Sequence, residues 1–384
     1  MMLKSSRWSV NVVGHRSFSP PPRGEGSGVG GTRTHPSRAG HPTPNPSPSR
    51  GRGQVRDRLA VAAFAAACLA IAAPTLAQDA YPSKPVRAIV PLTAGSAIDV
   101  FTRAVGNAFE TRTKQPFVVE NRAGANTIIA VNACKGADPD GYTICLLTRS
   151  SISINPEVYR KLSYDPLKDL EPVIQAFTGQ QIVILNTAVP ARSMAELVAY
   201  SKANPEKMNF GSLGTGGDSH LVIEWLKRKT GALITHVPFK GATDALQAFA
   251  ANNIQMIALL VGNPGLSVQI KEGKIHGLVL LANQRSPIVP NVPTLADVGI
   301  AAPDTAMSPW FGFFAPKGTP KPIVAKLNAE IAAIVKSPEF RDRFLAPQGF
   351  TAIAESSEQF AKFLVEDRKT AAQLVEISGV KINE

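Results

Sequence analysis

A glycine-rich stretch, NFGSLGTGGDSH at positions 209–220, directly precedes a run with the apolar spacing of a helix. The first N–H groups of a helix have no partner within it, and the helix dipole places partial positive charge at the same end. Glycines allow the backbone to approach an anion closely. The stretch therefore predicts an anion-binding loop whose candidate ligand-binding residues are Ser212, Gly214, Thr215, Gly216 and Ser219.

The common nucleotide-binding sequences do not fit this stretch. A Walker-type phosphate site needs Lys followed by Ser or Thr after the glycines, and Asp218 and Ser219 stand there instead. The glycine spacing of GSLGTGG also departs from the dinucleotide pattern GxGxxG. Nucleotide binding is therefore disfavoured.

A serine hydrolase with Ser219 as the nucleophile remains an alternative, because the triplet GDS is typical of one hydrolase class. Such an enzyme needs a histidine base held by a carboxylate, and no DxxH sequence stands near the C-terminus. We expect His220 at the start of the helix near the cleft. His236 and His276 lie in strand-like runs, which indicates structural roles.

Two further strand-to-helix segments carry small polar residues. PLTAGSAID (91–99) has the spacing of a capping box, so its aspartate either shapes the loop or contacts a ligand. LTRSSISINP (147–156) places hydroxyls just beyond another strand, which is a weaker signal because turns often contain them. The candidate ligand-binding residues of the two segments are Thr93, Ala94, Gly95, Ser96 and Asp99, and Thr148 and Ser150.

The elements around these loops predict an α/β fold. Strand-like runs at 86–92, 116–121 and 142–148 alternate with helical patterns, and this order is typical of a parallel sheet covered by helices. The alternation resumes at 180–187 and continues, which predicts a second α/β lobe. Ligands of such sheets bind beyond the carboxyl ends of the strands. The three loops are therefore expected at a cleft between two lobes.

The first 77 residues differ in composition from the rest. Residues 1–54 are rich in Pro, Gly, Ser and Arg, which predicts either a disordered arm or an extension upstream of the true start. Residues 55–77 have the layout of a signal peptide cleaved after Ala77, which predicts export to the periplasm. The remaining chain holds 31 basic and 27 acidic residues, so nucleic-acid binding is not expected. We expect Cys134 and Cys145 to be separately buried thiols, with a disulfide between them as the alternative, and no metal site.

Several motifs in order give a resemblance to a known family. YPSKPVRAIVPLTAGSAIDV, VVENRAGA, ADPDGYTI, MNFGSLGTGGDSHL and HVPFKGATDAL resemble the Bug-type substrate-binding proteins of tripartite tricarboxylate transporters. The resemblance implies a two-lobed periplasmic binding protein of the Venus-flytrap kind, type II-like, with parallel-rich sheets flanked by helices and a central cleft. One lobe would combine 78–177 with 306–384, and the other would span 178–305.

The resemblance also implies a function. The chain would be a monomeric, non-enzymatic binding protein, without cofactor, that delivers a small organic carboxylate to integral-membrane permease subunits. A periplasmic sensor for a two-component system is an alternative. The sequence departs from the family pattern at Ser96, where a second glycine is usual, and at Arg149, which faces either solvent or the pocket.

Overall fold

The computed structural model describes residues 81–301, 307–380 and 382. The expected N-terminal extension and signal peptide lie outside these residues. Among the described helices, none combines the length and the apolar character needed to cross a membrane.

Eleven strands form in the described part of the chain, most of them from the apolar runs noted above. They are β1 (Val86–Val90), β2 (Phe117–Asn121), β3 (Thr143–Thr148), β4 (Leu170–Thr178), β5 (Gln181–Asn186), β6 (Asn209–Ser212), β7 (Thr235–Pro238), β8 (Met256–Leu260), β9 (Ile275–Leu280), β10 (Trp310–Pro316) and β11 (Thr351–Ala352).

The helices of eight residues or more carry the labels used below. They are α1 (Ala97–Thr113), α2 (Ile128–Lys135), α3 (Met194–Ala203), α4 (Asp218–Thr230), α5 (Ala242–Ala250), α6 (Lys321–Val335) and α7 (Ser357–Ser378). Shorter helical segments are Asn155–Val158, Pro166–Asp169, Leu266–Lys271 and Pro338–Phe340, with π-turns at Ser150–Ile154 and Arg341–Leu345 and 3-10 turns at Ala125–Thr127, Pro205–Lys207, Ala296–Val298 and Ala346–Gln348.

The strands form two sheets, which define two lobes. The six-stranded lobe has the order β11-β4-β10-β3-β1-β2, and the five-stranded lobe has the order β7-β6-β8-β5-β9. The chain passes from the first sheet to the second at Gly179 and Gln180, between β4 and β5. The predicted lobe limits stay predictions, although every strand of the five-stranded sheet falls within 178–305.

Both sheets are mixed rather than parallel. The pairs β1–β2, β1–β3, β6–β7 and β6–β8 are parallel, as the strand–helix alternation predicted. The strands near the crossing are antiparallel to their neighbours: β10 to β3 and β4, and β5 to β8 and β9. The alternation of strands and helices along the sequence predicts parallel strands, because a helix connects each strand to the next. No helix lies between β4 and β5, so the alternation gives no information about their directions.

Helices cover both faces of the six-stranded sheet and join the two lobes. One core cluster packs α1 and α6 against it, and another packs α2 and the first half of α7 on the other face. The second half of α7 enters the core of the five-stranded lobe, where Ala371 and Leu374 join Trp225 of α4. Helix α7 therefore contacts both lobes, which fixes the groups that it carries relative to the cleft.

Cys134 and Cys145 form a disulfide, so the expectation of two separate thiols was wrong. Cys134 lies on α2 and Cys145 on the adjacent strand β3, and both side chains are fully buried in one cluster. Their Cα atoms are 6.1 Å apart, which is within the range that a disulfide spans. The packing of α2 onto β3, which spacing alone does not report, brings the two sulfurs together.

The helix ends follow the local signals closely. Ser193 with Glu196 three residues later has the spacing of a capping box, and Ser193 does cap α3, accepting a hydrogen bond from Glu196 N–H at 3.2 Å. Thr319 directly before Pro320 predicts a cap at Thr319 with the proline at the first helical position, but Pro320 occupies the capping position of α6 and Thr319 Oγ1 donates to Pro316 O. The helix therefore begins one residue later than the sequence indicated.

Candidate functional site

The first loop, residues 93–96, is held in shape by the start of α1. Ser96 caps the helix, and its Oγ accepts from Asp99 N–H at 3.3 Å. Asp99 Oδ2 accepts from Gly95 N–H at 3.0 Å, and the φ of +79° at Gly95 suits glycine. Burial raises the pKa of Asp99, but bonds from Arg103 and Gly95 outweigh it and lower the pKa. The structure therefore gives Asp99 a loop-shaping role.

The tip of the first loop touches the five-stranded lobe. Thr93 Oγ1 donates to Thr243 Oγ1 at 3.1 Å, and Thr243 Oγ1 donates to Ala94 O at 3.2 Å. Gly241 lies against the same tip, since a Cβ there would be 2.6 Å from Thr93 Oγ1. The two lobes are therefore in contact at this edge.

The chain becomes helical directly after β3, where a loop was predicted. Ser150–Ile154 forms a π-turn, and the hydroxyls of Thr148 and Ser151 lie 3.1 Å apart and bond each other's backbone N–H groups. Because these hydroxyls accept hydrogen bonds from backbone N–H groups at the start of the turn, they stabilise a helical conformation here. Ser150 Oγ accepts from Asp218 N–H of the five-stranded lobe at 3.1 Å. This is a second contact between the lobes.

Arg149 is buried rather than exposed to solvent, with 1% of its side chain accessible. Its Nε lies 3.1 Å from Asp367 Oδ1, and its Nη2 donates to Thr370 Oγ1 at 3.1 Å. Its Nη1 is 3.6 Å from Asp218 Oδ1. Trp310 Nε1–H donates to Asp367 Oδ2 at 2.7 Å. Of the two positions expected for Arg149, in solvent or in the pocket, the structure shows the second. Two aspartates beside Arg149 offset its charge.

The glycine-rich loop already uses several of its N–H groups within the protein. The bonds are Leu213 N–H to Ser219 Oγ (3.1 Å), Gly214 N–H to Ser212 Oγ (3.3 Å), Gly216 N–H to His220 Nδ1 (2.9 Å) and Gly217 N–H to Gly214 O (3.2 Å). Gly214 and Gly216 have φ of +132° and +75°, a backbone conformation that favours glycine. An anion at this loop would have to displace these bonds or use other donors of the cleft.

Two stacked histidines lie behind the loop and hold it. The ring centroids of His220 and His236 are 3.7 Å apart with nearly parallel ring planes, and His236 Nε2 is 2.6 Å from Ser212 Oγ. Burial lowers the pKa of both histidines to about 4, so both are neutral at pH 7. His220 Nδ1 accepts from Gly216 N–H only when that nitrogen carries no proton. The sequence indicated a structural His236 but not the pairing of the two rings.

We expect acidification from pH 7 to pH 5 to destabilise the folded chain through these histidines. Their folded pKa of about 4 lies below the ordinary 6.5, so the stability that they contribute is present above pH 6.5 and is lost as pH falls toward 4. For His220 the loss is about 2 kcal/mol, and the more exposed His236 contributes less. Asp218 offsets about 1 kcal/mol of this loss, because burial raises its pKa to about 6 and its protonation favours the folded state.

Urea unfolding at pH 5, 6 and 7 measures this effect. His220→Asn keeps an acceptor near Gly216 N–H but does not titrate, so the variant should lose less stability on acidification than the wild type. His276→Asn is the matched control at a partly exposed histidine. Equal pH profiles for wild type and His220→Asn would contradict the assignment.

A left-handed segment that the sequence analysis missed also faces the glycine-rich loop. Ala125, Asn126 and Thr127 have φ of 46°, 44° and 73°. Asn126 Nδ2 donates to Asn155 Oδ1 at 2.7 Å, and Asn155 Nδ2 donates back to Asn126 O at 2.9 Å. A Cβ on Gly217 would lie 2.6 Å from Asn126 Oδ1. Asparagine tolerates the left-handed conformation, but no sequence signal indicated its contact with the other lobe.

A small, partly open cavity lies between the lobes at the base of the cleft. Its volume is about 70 Å³, and the segments after β3 and before α4 face each other across it. The crossing strands form its floor. Its lining residues are Leu92, Asn126, Thr127, Thr148, Arg149, Ser150, Gln181, Leu213, Gly217, Asp218, Ser219, Ala258, Leu259, Leu260, Pro309, Trp310 and Phe311. We call this the central cavity.

The predicted ligand-binding residues divide among the central cavity and two clefts. Thr148, Ser150 and Ser219 line the central cavity. Gly214 and Thr215 line an outer cleft of about 480 Å³ beside it, and Ala94, Gly95 and Ser96 line a cleft of about 350 Å³ at the other edge. Thr93, Asp99, Ser212 and Gly216 line none of the three. Ala94 and Thr215 therefore share none of these three spaces. Leu92 and Leu213, each two residues earlier in the chain, both line the central cavity.

Comparison with known proteins assigns the family. The family model described as the tripartite tricarboxylate transporter family receptor matches residues 101–380. The chain belongs to this receptor family. It is 32% identical to the protein BugT of Bordetella pertussis over 329 residues, which are 84% of this chain and 98% of that protein.

Solved structures of the same type share the fold. The periplasmic binding protein BugD has a TM-score of 0.73 at 27% identity, covering 78% of this chain and 99% of that one. MatC from Rhodopseudomonas palustris, solved with bound malate, has a TM-score of 0.71 at 27% identity, covering 77% of this chain and all of that one. These findings confirm the Bug-type resemblance and the two-lobed fold. The individual ligand-binding residues stay predictions.

Proposed function

We propose that this chain is an exported binding protein that encloses a small organic carboxylate between its two lobes. The observation that carries the proposal is the central cavity, which the lobes close from opposite sides with hydroxyl groups of Thr148, Ser150 and Ser219. Hydroxyl and N–H donors stabilise a carboxylate by charge-assisted hydrogen bonds. A relative of similar fold was solved with malate, which supports a carboxylate as the ligand class.

The proposal includes delivery of the ligand to a membrane permease. Membership of a transporter receptor family supports this role. We propose that residues 55–77 direct export, that cleavage follows Ala77, and that a monomer in the periplasm hands the ligand to two permease subunits. Opening and closing would pivot at the crossing between β4 and β5, where Gly179 and Gln180 connect the two sheets.

We propose further that the ligand leaves chemically unchanged. Ser219 Oγ accepts the Leu213 N–H at 3.1 Å, and the neighbouring His220 uses Nδ1 to accept the Gly216 N–H. Both groups therefore hold the loop. The buried Ser212 and the partly buried His236 form a close pair, but Ser212 Oγ also donates to Gly214 O. These bonds favour binding without turnover over the hydrolase alternative.

We expect a small carboxylic acid to raise the melting temperature of the protein purified from the periplasm. A ligand at one hundred times its Kd stabilises the folded state by about 2.7 kcal/mol, which is a shift of roughly 5 °C for a chain of this size. The measurement is a thermal-shift screen of mono-, di- and tricarboxylates and aromatic acids. The amides of the same acids are the control, because they lack the charge.

A screen in which no acid moves the transition would contradict the proposed ligand class. A shift by the amides equal to that of the acids would show that charge is not recognised. Turnover of an ester panel, abolished by Ser219→Ala, would support the hydrolase instead.

A further inference from the structure

The chain continues beyond α7 and contacts the glycine-rich loop. Helix α7 is followed by Gly379, whose φ of +68° ends the helix in the left-handed conformation. The guanidinium of Arg228, on α4, occupies the space that a side chain at Gly379 would need. Val380 and Ile382 follow, and both are partly buried against the core of the five-stranded lobe. We call Gly379, Val380 and Ile382 the C-terminal segment.

Ile382 lies directly against the glycine-rich loop. Beyond the chain neighbours of Gly216, the atoms nearest to a Cβ placed on it would be Val158 Cγ1 at 2.7 Å and Ile382 Cδ1 at 2.8 Å. Gly216 lines neither the central cavity nor the two clefts. The close approach of Val158 and Ile382, together with the φ of +75°, therefore explains why a glycine stands at 216.

Tyr159 connects the C-terminal segment to a neighbouring residue of the same loop. Its backbone pairs with Ile382 in an isolated parallel bridge, and its hydroxyl donates to Thr215 O at 2.7 Å. Tyr159 and Thr215 both line the outer cleft. The C-terminal segment therefore supports the loop in two ways, directly at Gly216 and through Tyr159 at Thr215.

These contacts join parts of the two lobes. Val158 and Tyr159 follow β3 of the six-stranded sheet, whereas Thr215 and Gly216 lie between β6 and α4 of the five-stranded lobe. Ile382 lies against both groups. Separation of the lobes would break apolar contacts here and the bond from Tyr159 to Thr215. Contacts that exist only while the lobes are together stabilise the closed cleft and slow the release of a ligand from it.

We propose that the C-terminal segment is a latch that holds the cleft closed, with Ile382 as a positioning residue for the glycine-rich loop. This inference rests on the proposed function, because it concerns a ligand that the closed lobes retain. Ile382 lines neither the central cavity nor the two clefts, so it acts through Gly216 and Tyr159. Its loss should speed ligand dissociation and leave association nearly unchanged, since the latch forms after the ligand has entered.

Stopped-flow fluorescence of the full exported protein measures both rate constants, because Trp310 lines the central cavity. Malate is the first probe, and the tightest-binding acid of the thermal-shift screen is the second. Ile382→Ala removes the atom that lies against Gly216, and it should raise the dissociation rate constant about 5- to 20-fold. Ile382→Leu keeps carbons at the δ position and should stay within about threefold of the wild type.

Two further variants separate the latch from a loss of packing alone. Ile377→Ala deletes the same atoms from a partly buried isoleucine of α7 that packs against the same core, so it should lower the melting temperature but keep the wild-type dissociation rate constant. Tyr159→Phe removes only the hydroxyl that donates to Thr215 O, and it should raise the dissociation rate constant about 2- to 10-fold. Tyr159→Phe also tests the latch if Ile382→Ala does not fold.

The outcomes distinguish this inference from the proposed function. Dissociation from Ile382→Ala and Tyr159→Phe at the wild-type rate, or no faster than from Ile377→Ala, overturns the latch and leaves carboxylate binding intact. Weaker binding by Ile382→Ala that arises from slower association also overturns it. Binding by none of the acids of the screen overturns the proposed function and this inference together.

Discussion

Gly217→Ala is expected to weaken ligand binding about 10- to 100-fold while the free protein keeps nearly its wild-type melting temperature. Gly217 has φ of −75° and ψ of 170°, which any residue adopts, so the change adds no backbone strain. Its new Cβ would lie 2.6 Å from Asn126 Oδ1 on the other lobe. Asn126 cannot swing away easily because it exchanges hydrogen bonds with Asn155. The added methyl group therefore penalises the closed cleft most, because its nearest contact within its own lobe, Gly214 O, is farther away at 3.3 Å.

A double mutant separates this steric effect from other causes. Asn126→Ala removes the oxygen that the Cβ would meet, so Gly217→Ala combined with Asn126→Ala should bind better than Gly217→Ala alone. Gly136→Ala, at the end of α2 where φ is −84°, is the control that should leave binding unchanged. Titration of each variant with an acid that binds the wild type gives the measurement. Wild-type affinity in Gly217→Ala would show that the cleft does not close on its ligand in this geometry.

The Gly217–Asn126 contact also shows where sequence reasoning ends. The strands and helices around it were predicted because their signals are local: apolar periodicity for α1 and β3, and a serine with a glutamate three residues later for α3. The glycine-rich loop was placed correctly before α4 for the same reason. Which residue faces a glycine across the cleft depends on the packing of two lobes, and no spacing within either segment carries that information.

The same limit explains the errors in the core and at the crossing. The Cys134–Cys145 disulfide depends on how α2 lies on β3. The antiparallel strands β4 and β10 pair residues more than 130 positions apart, such as Gly312 with Gln175. Alternation of strands and helices predicts parallel neighbouring strands. It does not predict the pairing of β10, which comes after the five-stranded lobe in the chain and joins the first sheet.

The sequence predicts where the three candidate loops lie, but not which of their polar groups are already used within the protein. The three loops do lie along the cleft, but the sequence does not show which donors are free. Four N–H groups of the glycine-rich loop have acceptors within the protein, and Asp99 is committed to the first loop. Among the described residues that line the central cavity, Asp218 and Gln181 each have a buried oxygen without a hydrogen-bond partner, and polarity and spacing did not distinguish them from ordinary helix-start and strand-start residues.

Arg149→Met is expected to destabilise the protein by about 3–5 kcal/mol, because it leaves buried carboxylates without their cation. Asp367 would keep the bond from Trp310 but lose Arg149, and Asp218 would lose the cation 3.6 Å away. Without that cation the pKa of Asp218, which burial already raises, rises further, so the folded variant takes up a proton more readily than the unfolded chain. The destabilisation relative to wild type should therefore be smaller at pH 5 than at pH 8.

Urea unfolding of Arg149→Met at both pH values gives the measurement, and Arg368→Met is the matched control on α7. Arg368 Nε is 2.7 Å from Glu157 Oε1, but 40% of the Arg368 side chain is exposed, so its loss should cost less than about 1 kcal/mol. Adding Asp367→Asn to Arg149→Met removes one of the two stranded charges and should recover part of the stability. A loss in Arg149→Met no larger than in Arg368→Met, or one independent of pH, would mean that the buried charges do not depend on Arg149 for compensation.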